Sequence, residues 1–144
     1  MLQNQCAARA STDSGPNPFV ANIALAAREN TAFRAAFWTG EHLQMTLMSI
    51  PVRGEIGFEM HADVDQFIRI EQGRGIVIFG NGGAAPAAQQ RIGRDDGVFI
   101  PAGTWHNILN EGFRPLKLSS IYAPPNHPRG VLQQTKADAE KSGY

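Results

Sequence analysis

The segment Glu59-Met60-His61 carries two side chains that can act together on a metal ion or a proton. Successive side chains of a β-strand point to opposite faces, so a strand here would place Glu59 and His61 on one face and Met60 on the other. A carboxylate and an imidazole held side by side are common ligands of divalent transition metals. A carboxylate that is free of metal can instead transfer a proton. The spacing therefore predicts a site for metal binding or acid–base chemistry.

A third candidate, His106, follows a turn whose shape the sequence restricts. Pro101 and Gly103 precede it. Because proline fixes φ and glycine tolerates a positive φ, this turn controls where the imidazole of His106 points. We expect His106 to be oriented in advance, as a metal ligand needs to be.

These side chains need a frame of short strands, and the sequence predicts one. Apolar and polar residues alternate over 43–49, and the predicted strands are 43–49, 57–61, 66–71, 75–79, 97–100, 104–109 and 116–122. A tight turn is predicted at 72–75 and a longer glycine-rich connection at 80–86. Gln66 would place a polar group at the mouth of an apolar stripe that contains Ile68 and Ile70. Many short strands with glycine-rich turns favour an antiparallel sandwich or barrel.

Two short helices are predicted at the ends of this β-structure. Asn22 can cap a helix that runs to about Glu29, because its side-chain oxygen can accept a backbone N–H. Residues 135–141 have helical composition. We divide the chain into a flexible N-terminal tail at 1–18, a single domain at 19–130, and a C-terminal tail with a helix at 131–144.

Length, charge and cysteine content exclude several classes of protein. The 144 residues suit one domain, and 13 Lys and Arg balance 13 Asp and Glu. With no net charge and no basic run, nucleic acid is not expected as a partner. No segment reaches the roughly 20 apolar residues of a membrane span, and the first residues lack the apolar core of a secretory signal. Cys6 is the single cysteine, which is compatible with a reducing compartment, so we expect a cytoplasmic protein.

The second part of the chain resembles the cupin superfamily of small double-stranded β-helix proteins. Its motif PxGxxHxxxN is filled by Pro101, Gly103, His106 and Asn110. Asp96 matches the aspartate that is usual before this motif. Asp95 stands where the motif normally has glycine. This match implies a jelly-roll barrel.

The other cupin motif, G(x)5HxH(x)3–4E(x)6G, is matched in spacing more than in identity. Glu59 takes the place of the first histidine, His61 that of the second, Gln66 that of the glutamate, and Gly73 that of the closing glycine. The resemblance covers 44–122 and implies an all-β cupin double-stranded β-helix with short N-terminal and C-terminal helices. The flanking segments are similar to a bacterial single-domain family labelled mannose-6-phosphate isomerase-like, a label that reflects the fold.

The resemblance implies a metal set of Glu59, His61, Gln66 and His106. Two imidazoles and one carboxylate suit Fe(II), Mn(II), Ni(II) or Zn(II), and Gln66 would add a neutral oxygen. The implied activity is on a small oxygenated molecule, such as a sugar derivative, a keto acid or an enediol. A metal would polarise its carbonyl or hydroxyl, and Glu59, if not bound to the metal, would be the catalytic residue that moves a proton. Isomerisation is the simplest such reaction.

Three alternatives stay open. The same site would also serve an Fe(II)-dependent dioxygenase, or the barrel would be a non-catalytic small-molecule binding or sensory module. A third alternative uses His61-Ala62-Asp63 as the HxD motif of 2-oxoglutarate dioxygenases, with His106 as the second histidine and Arg114 as the clamp for the cosubstrate. On that view Asp63 is a metal ligand.

Assembly and the remaining histidines give further expectations. Exposed apolar residues that alternate in the early strands, Leu43, Met45 and Leu47, favour a homodimer. His42 and His127 are expected on the surface. Tyr122 is expected mainly as core or interface material, like the other large aromatic residues.

Overall fold

A computed structural model describes residues 13–80 and 86–143 of the chain. The elements, in order, are helix α1 (Ile23–Glu29), strands β1 (Arg34–Thr39), β2 (Gln44–Ile50), β3 (Asp65–Gln72), β4 (Arg74–Gly80), β5 (Pro86–Gly93), β6 (Gly97–Ile100), β7 (Trp105–Asn110), β8 (Leu116–Ala123) and β9 (Leu132–Gln133), and helix α2 (Lys136–Ser142). Six of the predicted strands agree with β2, β3, β4, β6, β7 and β8 to within one residue at each end.

The strands form two antiparallel sheets that pack face to face. One has six strands in the order β6-β3-β8-β2-β1-β9, and the other has three in the order β5-β4-β7. The buried core takes residues from both sheets, among them Ile68 and Leu118 from the larger and Val77 and Ile108 from the smaller. This confirms the predicted jelly-roll barrel.

The interior of the six-stranded sheet changes from apolar to polar along the strands. Cross-strand neighbours on β3, β8 and β2 give three inward rows, which are Ile70, Leu118 and Met48, then Ile68, Ser120 and Thr46, then Gln66, Tyr122 and Gln44. All nine side chains are buried. Buried polar groups cost free energy unless they are bonded, so a row rich in them marks a place where function competes with stability. The barrel therefore has an apolar end and a polar end.

Sequence analysis did not predict two of the strands, β1 and β5. In β1 the register with β2 shifts between Ala36 and Trp38, and this bulge breaks the period of two. In β5 the sequence Pro86 to Gly93 is rich in alanine and glutamine, residues that are not typical of strands. It forms one edge of the smaller sheet. The connection predicted at 80–86 is shortened because β5 begins at Pro86, and residues 81–85 lie outside the described residues.

The strand predicted at 57–61 is wrong. Gly57 has a φ of 102°, which takes the backbone out of the pleated conformation. The segment makes only isolated bridges to β7, from Glu55 to Leu109 and from Glu59 to His106. It therefore lies along β7 as an irregular segment.

Both predicted helices are present, and each has a polar cap. The Asn22 side chain accepts from the backbone N–H of Leu25 at 3.0 Å at the start of α1. Thr135 and Asp138 form a reciprocal capping box at the start of α2. Ala139 joins α2 to the hydrophobic core. Neither helix in the described part of the chain has the length and apolar composition to cross a membrane.

The N-terminal arm is attached to the barrel from the first described residue. The Asp13 carboxylate accepts from the backbone N–H of Thr39 at 2.9 Å and of Gly130 at 3.0 Å. These bonds tie the arm to the end of β1 and to the segment before β9. Residues 1–12 of the predicted tail lie outside the described residues.

Candidate metal centre

Glu59, His61 and His106 bring three potential ligand atoms together at the polar end of the barrel. Glu59 Oε1 lies 3.5 Å from His61 Nε2 and 3.4 Å from His106 Nε2. The ligand atoms of all three residues lie within 4.8 Å of one another. Donor atoms about 2.1 Å from one ion are separated by roughly 3.0–3.4 Å. The spacing in the cluster is therefore close to that of ligands sharing a single ion.

Backbone hydrogen bonds fix the relative positions of these residues. Glu59 and His106 exchange two N–H to carbonyl bonds, each 3.0 Å long. The His61 carbonyl accepts from the Gly103 N–H at 2.8 Å. Gly103 has a φ of 82°, which glycine adopts without strain. Glu59 and His61 therefore meet because their irregular segment is bonded to the turn and strand that carry His106, and not because they share a strand.

The ring of His106 is oriented for coordination through Nε2. Its Nδ1 lies 2.8 Å from the carbonyl oxygen of Thr104. A carbonyl can only accept, so Nδ1 carries the proton and donates it. The lone pair of a neutral ring is then on Nε2, the atom that faces Glu59. A backbone carbonyl that fixes the tautomer of a histidine ligand is a common feature of metal sites.

Seven buried polar atoms have no hydrogen-bond partner among the described residues, and four of them belong to the predicted metal ligands: Glu59 Oε1, His61 Nε2, His106 Nε2 and Gln66 Oε1. Buried polar atoms are nearly always bonded, so a group of unpaired ones needs an explanation. All four are good ligand atoms for a divalent transition metal. The chemistry of the donors thus fits a metal ion bound among them.

Gln66 sits beside this cluster in the fold, in register with Tyr122 of the polar row. Its Nε2 donates to Ser120 Oγ at 2.8 Å, which fixes the amide. The amide oxygen is left without a partner. Gln66 as a fourth ligand stays a prediction, and this orientation of its amide is compatible with it.

Arg34 brings a positive charge to the same region, and sequence analysis did not identify it. Burial by itself would raise the pKa of Glu59. The nearby rings of His106 and His61 and the charge of Arg34 outweigh burial and hold that pKa below its usual value. Glu59 is therefore a carboxylate at neutral pH. The signal in the sequence was a single arginine within the apolar run Ala32 to Ala36.

His127 is buried, so the prediction that it lies on the surface is wrong. It is 7% exposed. Gln44 holds its backbone at both ends, since Oε1 accepts from the His127 N–H at 2.9 Å and Nε2 donates to the His127 carbonyl at 2.9 Å. Burial, with a contribution from Arg34, lowers the pKa of His127 to about 3. The ring is neutral at physiological pH. His42 lies on the surface as expected.

Tyr122 links His127 to the metal candidates. Its ring packs edge-on against His61, with centroids 5.6 Å apart, and against His127, with centroids 5.1 Å apart. Its hydroxyl lies 3.3 Å from His127 Nε2. Burial raises the pKa of Tyr122, so the hydroxyl keeps its proton and can donate it to the neutral imidazole. The alternation of Leu118, Ser120 and Tyr122 along β8 was the signal that this tyrosine faces inward.

The structure does not bring Asp63 into the cluster. Its residue is exposed, and among the described residues the group that can hold a metal consists of Glu59, His61 and His106. Arg114, the clamp in that alternative, lines a different cavity together with Arg74. The HxD arrangement therefore has no structural support.

Two other residues of the matched motifs have structural roles. Asp95, at the usual glycine position, has a φ of 73°, a conformation that aspartate tolerates better than most residues. Its carboxylate accepts from Arg69 at 2.8 Å. The Asn110 amide donates to the carbonyls of Ile50 and Arg114, each at 3.0 Å, and so closes the apolar end of the barrel.

An antiparallel jelly-roll barrel with two histidines and a carboxylate at its polar end defines a class of small β-barrel proteins with a candidate metal centre. The family model described as "Cupin domain" matches residues 46–122 of the chain. The protein belongs to the cupin family. The matched segment contains every residue of the cluster.

Relatives of this chain span most of its length. It is 55% identical to YrkC of Bacillus subtilis over 127 residues, which are 88% of this chain and 68% of that protein. It is 35% identical to L612 of Acanthamoeba polyphaga mimivirus over 126 residues, 87% of this chain and 77% of that protein. The crystal structure of BH2720 from Bacillus halodurans superimposes with a TM-score of 0.89 at 54% identity and covers 90% of this chain and 98% of that one.

Proposed function

We propose that the protein is a metal-dependent enzyme that binds a small oxygenated molecule in its barrel and isomerises it by moving a proton. The substrate class is a sugar derivative, a keto acid or an enediol. The observation that carries the proposal is the set of buried, unpartnered ligand atoms at the polar end of the barrel. We place this activity in the cytoplasm, since the single cysteine suits a reducing compartment.

Glu59, His61 and His106 would hold the ion, with Gln66 as the fourth ligand. Fe(II), Mn(II), Ni(II) and Zn(II) all suit this combination of donors. When bound, such an ion supplies a Lewis acid that polarises a carbonyl or hydroxyl oxygen. The remaining chemistry belongs to side chains of the chain itself.

Glu59 is the residue that would move the proton. It lines a cavity of about 260 Å³ and is ionised at neutral pH, so its carboxylate can accept a proton from the carbon next to a carbonyl. Oε1 faces the two histidines. In this step the carboxylate would leave the ion, which His61, His106 and Gln66 would still hold, so that Glu59 is free to take the proton. Return of this proton to the neighbouring carbon, together with transfer of the hydroxyl proton to the former carbonyl oxygen, completes an isomerisation without any other reactant.

Metal content and proton exchange test this proposal together. Untagged protein purified without chelator is expected to contain close to one divalent transition metal ion per chain, measured by elemental mass spectrometry. In D2O, the metal-loaded protein should exchange the C–H next to the carbonyl of an aldose, ketose or keto acid, followed by proton NMR. Glu59→Gln should lose this exchange, whereas Glu55→Gln, a half-exposed carboxylate on the same segment, should keep it.

Two other outcomes would indicate a different function. Protein that takes up no metal after reconstitution would contradict the proposal and leave a small-molecule binding module. Metal without proton exchange, but with oxygen consumption by the Fe(II) form, would indicate a dioxygenase.

We also propose that the protein forms homodimers through the outer face of its six-stranded sheet. One cross-strand row on that face is apolar over five strands, and it consists of Phe99, Phe67, Ile121, Met45 and Trp38. Phe99 is 76% exposed. Leu43 is also exposed, but Leu47 is buried, so the expectation that Leu47 belongs to such a surface is wrong. Contiguous exposed apolar patches commonly mark interaction surfaces.

Phe99→Glu is expected to convert the dimer to a monomer, because a carboxylate on the most exposed side chain of the row would have to be desolvated at the interface. The dissociation constant should rise at least about tenfold, which corresponds to about 1.4 kcal/mol. Sedimentation velocity over a range of concentrations measures it. Phe113→Glu is the matched control, since Phe113 is 90% exposed and lies outside the row. A wild-type protein that stays monomeric, or equal loss in both variants, would contradict the proposal.

A further inference from the structure

Arg34 is a buried cation with spare hydrogen-bonding capacity. It lies on β1 and is 3% exposed, between Met48 of β2 and Gln133 of β9 in the sheet register. Its Nη1 donates to Gln133 Oε1 at 2.8 Å. Its Nε is buried and has no partner among the described residues. None of the ion pairs between described residues includes Arg34. Its guanidinium carbon lies 5.4 Å from the centre of the Phe33 ring.

Arg34 and Glu59 face the same small cavity. Both line the space of about 260 Å³ that lies between the end of the Glu59 segment and helix α2. Drug-sized ligands occupy about 300–1,000 Å³, so this cavity suits a molecule of only a few carbon atoms. A guanidinium presents its N–H groups in a planar fork that matches the two oxygens of a carboxylate.

We propose that Arg34 binds a carboxylate group of the substrate, so that the barrel acts on small carboxylic acids such as 2-keto acids. This inference rests on the proposed function of the Glu59 centre and names its substrate class. Glu59 contributes one negative charge, and a divalent ion with Arg34 would contribute three positive charges. A site in which positive charge exceeds negative charge favours an anion over a neutral sugar.

The alternative role for Arg34 is only to join β1 to β9 through Gln133. That role uses one N–H of the guanidinium, and the ring of Phe33 stabilises its charge. It leaves the unpaired Nε and the place of Arg34 in the cavity lining unexplained, whereas a carboxylate bound in that cavity would pair with the guanidinium. Lys136, the other cation that lines the cavity, is 38% exposed and lies near Glu55 and Glu140. Its charge is already balanced and hydrated.

The test is a binding measurement with pyruvate, 2-oxobutyrate and methyl pyruvate, the neutral ester. Isothermal titration of the wild-type protein, with metal content measured on each sample, is expected to show binding of both acids and at least about tenfold weaker binding of the ester. Arg34→Gln should weaken acid binding at least about tenfold while its metal content stays at the wild-type level. Arg34→Lys keeps the charge without the fork and should retain part of the affinity. Arg114→Gln is the matched control and should bind like the wild type, since Arg114 is exposed and lines a different cavity.

Several results would overturn this inference. They are equal affinity for acid and ester, unchanged acid binding in both Arg34 variants, an equal loss of acid binding in Arg114→Gln, or no binding of either acid up to about 10 mM. Tighter binding of inorganic phosphate than of the acids would overturn it as well. If Arg34→Gln does not fold, as judged by circular dichroism, Arg34→Lys and the acid–ester comparison decide.

The outcome is separable from that of the proposed function. Acids that bind through Arg34 without any proton exchange would refute the isomerase and leave the carboxylate site. Proton exchange on neutral sugars with no preference for acids would support the isomerase and refute the carboxylate site.

Discussion

Saturating the protein with the metal it prefers should stabilise it by about 2.7 kcal/mol at a free metal concentration 100 times the dissociation constant, and His106→Ala should abolish this effect. A ligand that binds only the folded state stabilises it by mass action. For a chain of this length the gain corresponds to a rise in melting temperature of roughly 8–12 °C. Thermal unfolding with and without each metal measures it.

His106 is the decisive position because its backbone and its ring are both fixed toward the cluster. The ring is 1% exposed, and Thr104 sets its tautomer. Without this ring, one imidazole and one carboxylate remain beside the neutral oxygen of Gln66, and this set does not make a strong site for a divalent ion. We therefore expect the metal affinity of His106→Ala to fall by more than about 100-fold.

Two further variants make the metal experiment specific. Asp63→Ala is the matched control, since Asp63 is exposed and outside the cluster, and it should keep the full shift in melting temperature. A shift that survives in His106→Ala but disappears in Asp63→Ala would contradict this centre and revive the HxD arrangement. Gln66→Leu tests the fourth ligand, and loss of a neutral oxygen should weaken binding less than loss of His106.

The barrel could be predicted because short stretches of the sequence are enough to indicate most of its strands. The period of two in β2 and β3 and the proline and glycine before His106 are signals within a few residues of each other. β1 escaped because a bulge between Ala36 and Trp38 breaks its alternation. The β5 strand was missed because alanine and glutamine are not typical of strands, so its sequence does not indicate one. Both strands were missed because of their local sequence, although the fold that contains them was predicted correctly.

The site was harder to predict, because its residues are assembled by pairing between distant segments. Glu59 and His61 were identified from an assumed strand, yet backbone bonds to His106 and Gly103 are what place them. Arg34 and His127 have no local motif. They reach the centre through β1 and through the segment that Gln44 holds. Such contacts depend on sheet order and register, which motif spacing does not report.

Acid should destabilise this protein through His127 from about pH 6.5 downward, so the effect begins above the pH at which most carboxylates titrate. The pKa of His127 is about 3 in the folded protein, against about 6.5 in an unfolded chain. Between these values the unfolded chain binds a proton that the folded protein excludes. The stabilising effect of a neutral His127 is therefore complete above about pH 6.5 and is lost as the pH falls below it. The slope approaches about 1.4 kcal/mol per pH unit.

His127→Gln removes this titration and keeps a polar group beside Tyr122. Between about pH 6.5 and pH 4.5, the wild-type protein should lose roughly 2–3 kcal/mol more stability than the variant. Urea unfolding of the chelator-treated proteins measures the difference, since metal binding has its own pH dependence.

Choosing this pH range separates His127 from Glu59. The lowered pKa of Glu59 stabilises the fold above the unfolded value of about 4.3, and that contribution is lost only at lower pH. His42→Gln is the matched control, because the His42 side chain is 87% exposed and should not alter the slope. Equal slopes in wild type and His127→Gln would mean that His127 is protonated in the folded protein. Its ring could then not accept the Tyr122 proton, and the neutral Tyr122–His127 pair beside His61 would have to be abandoned.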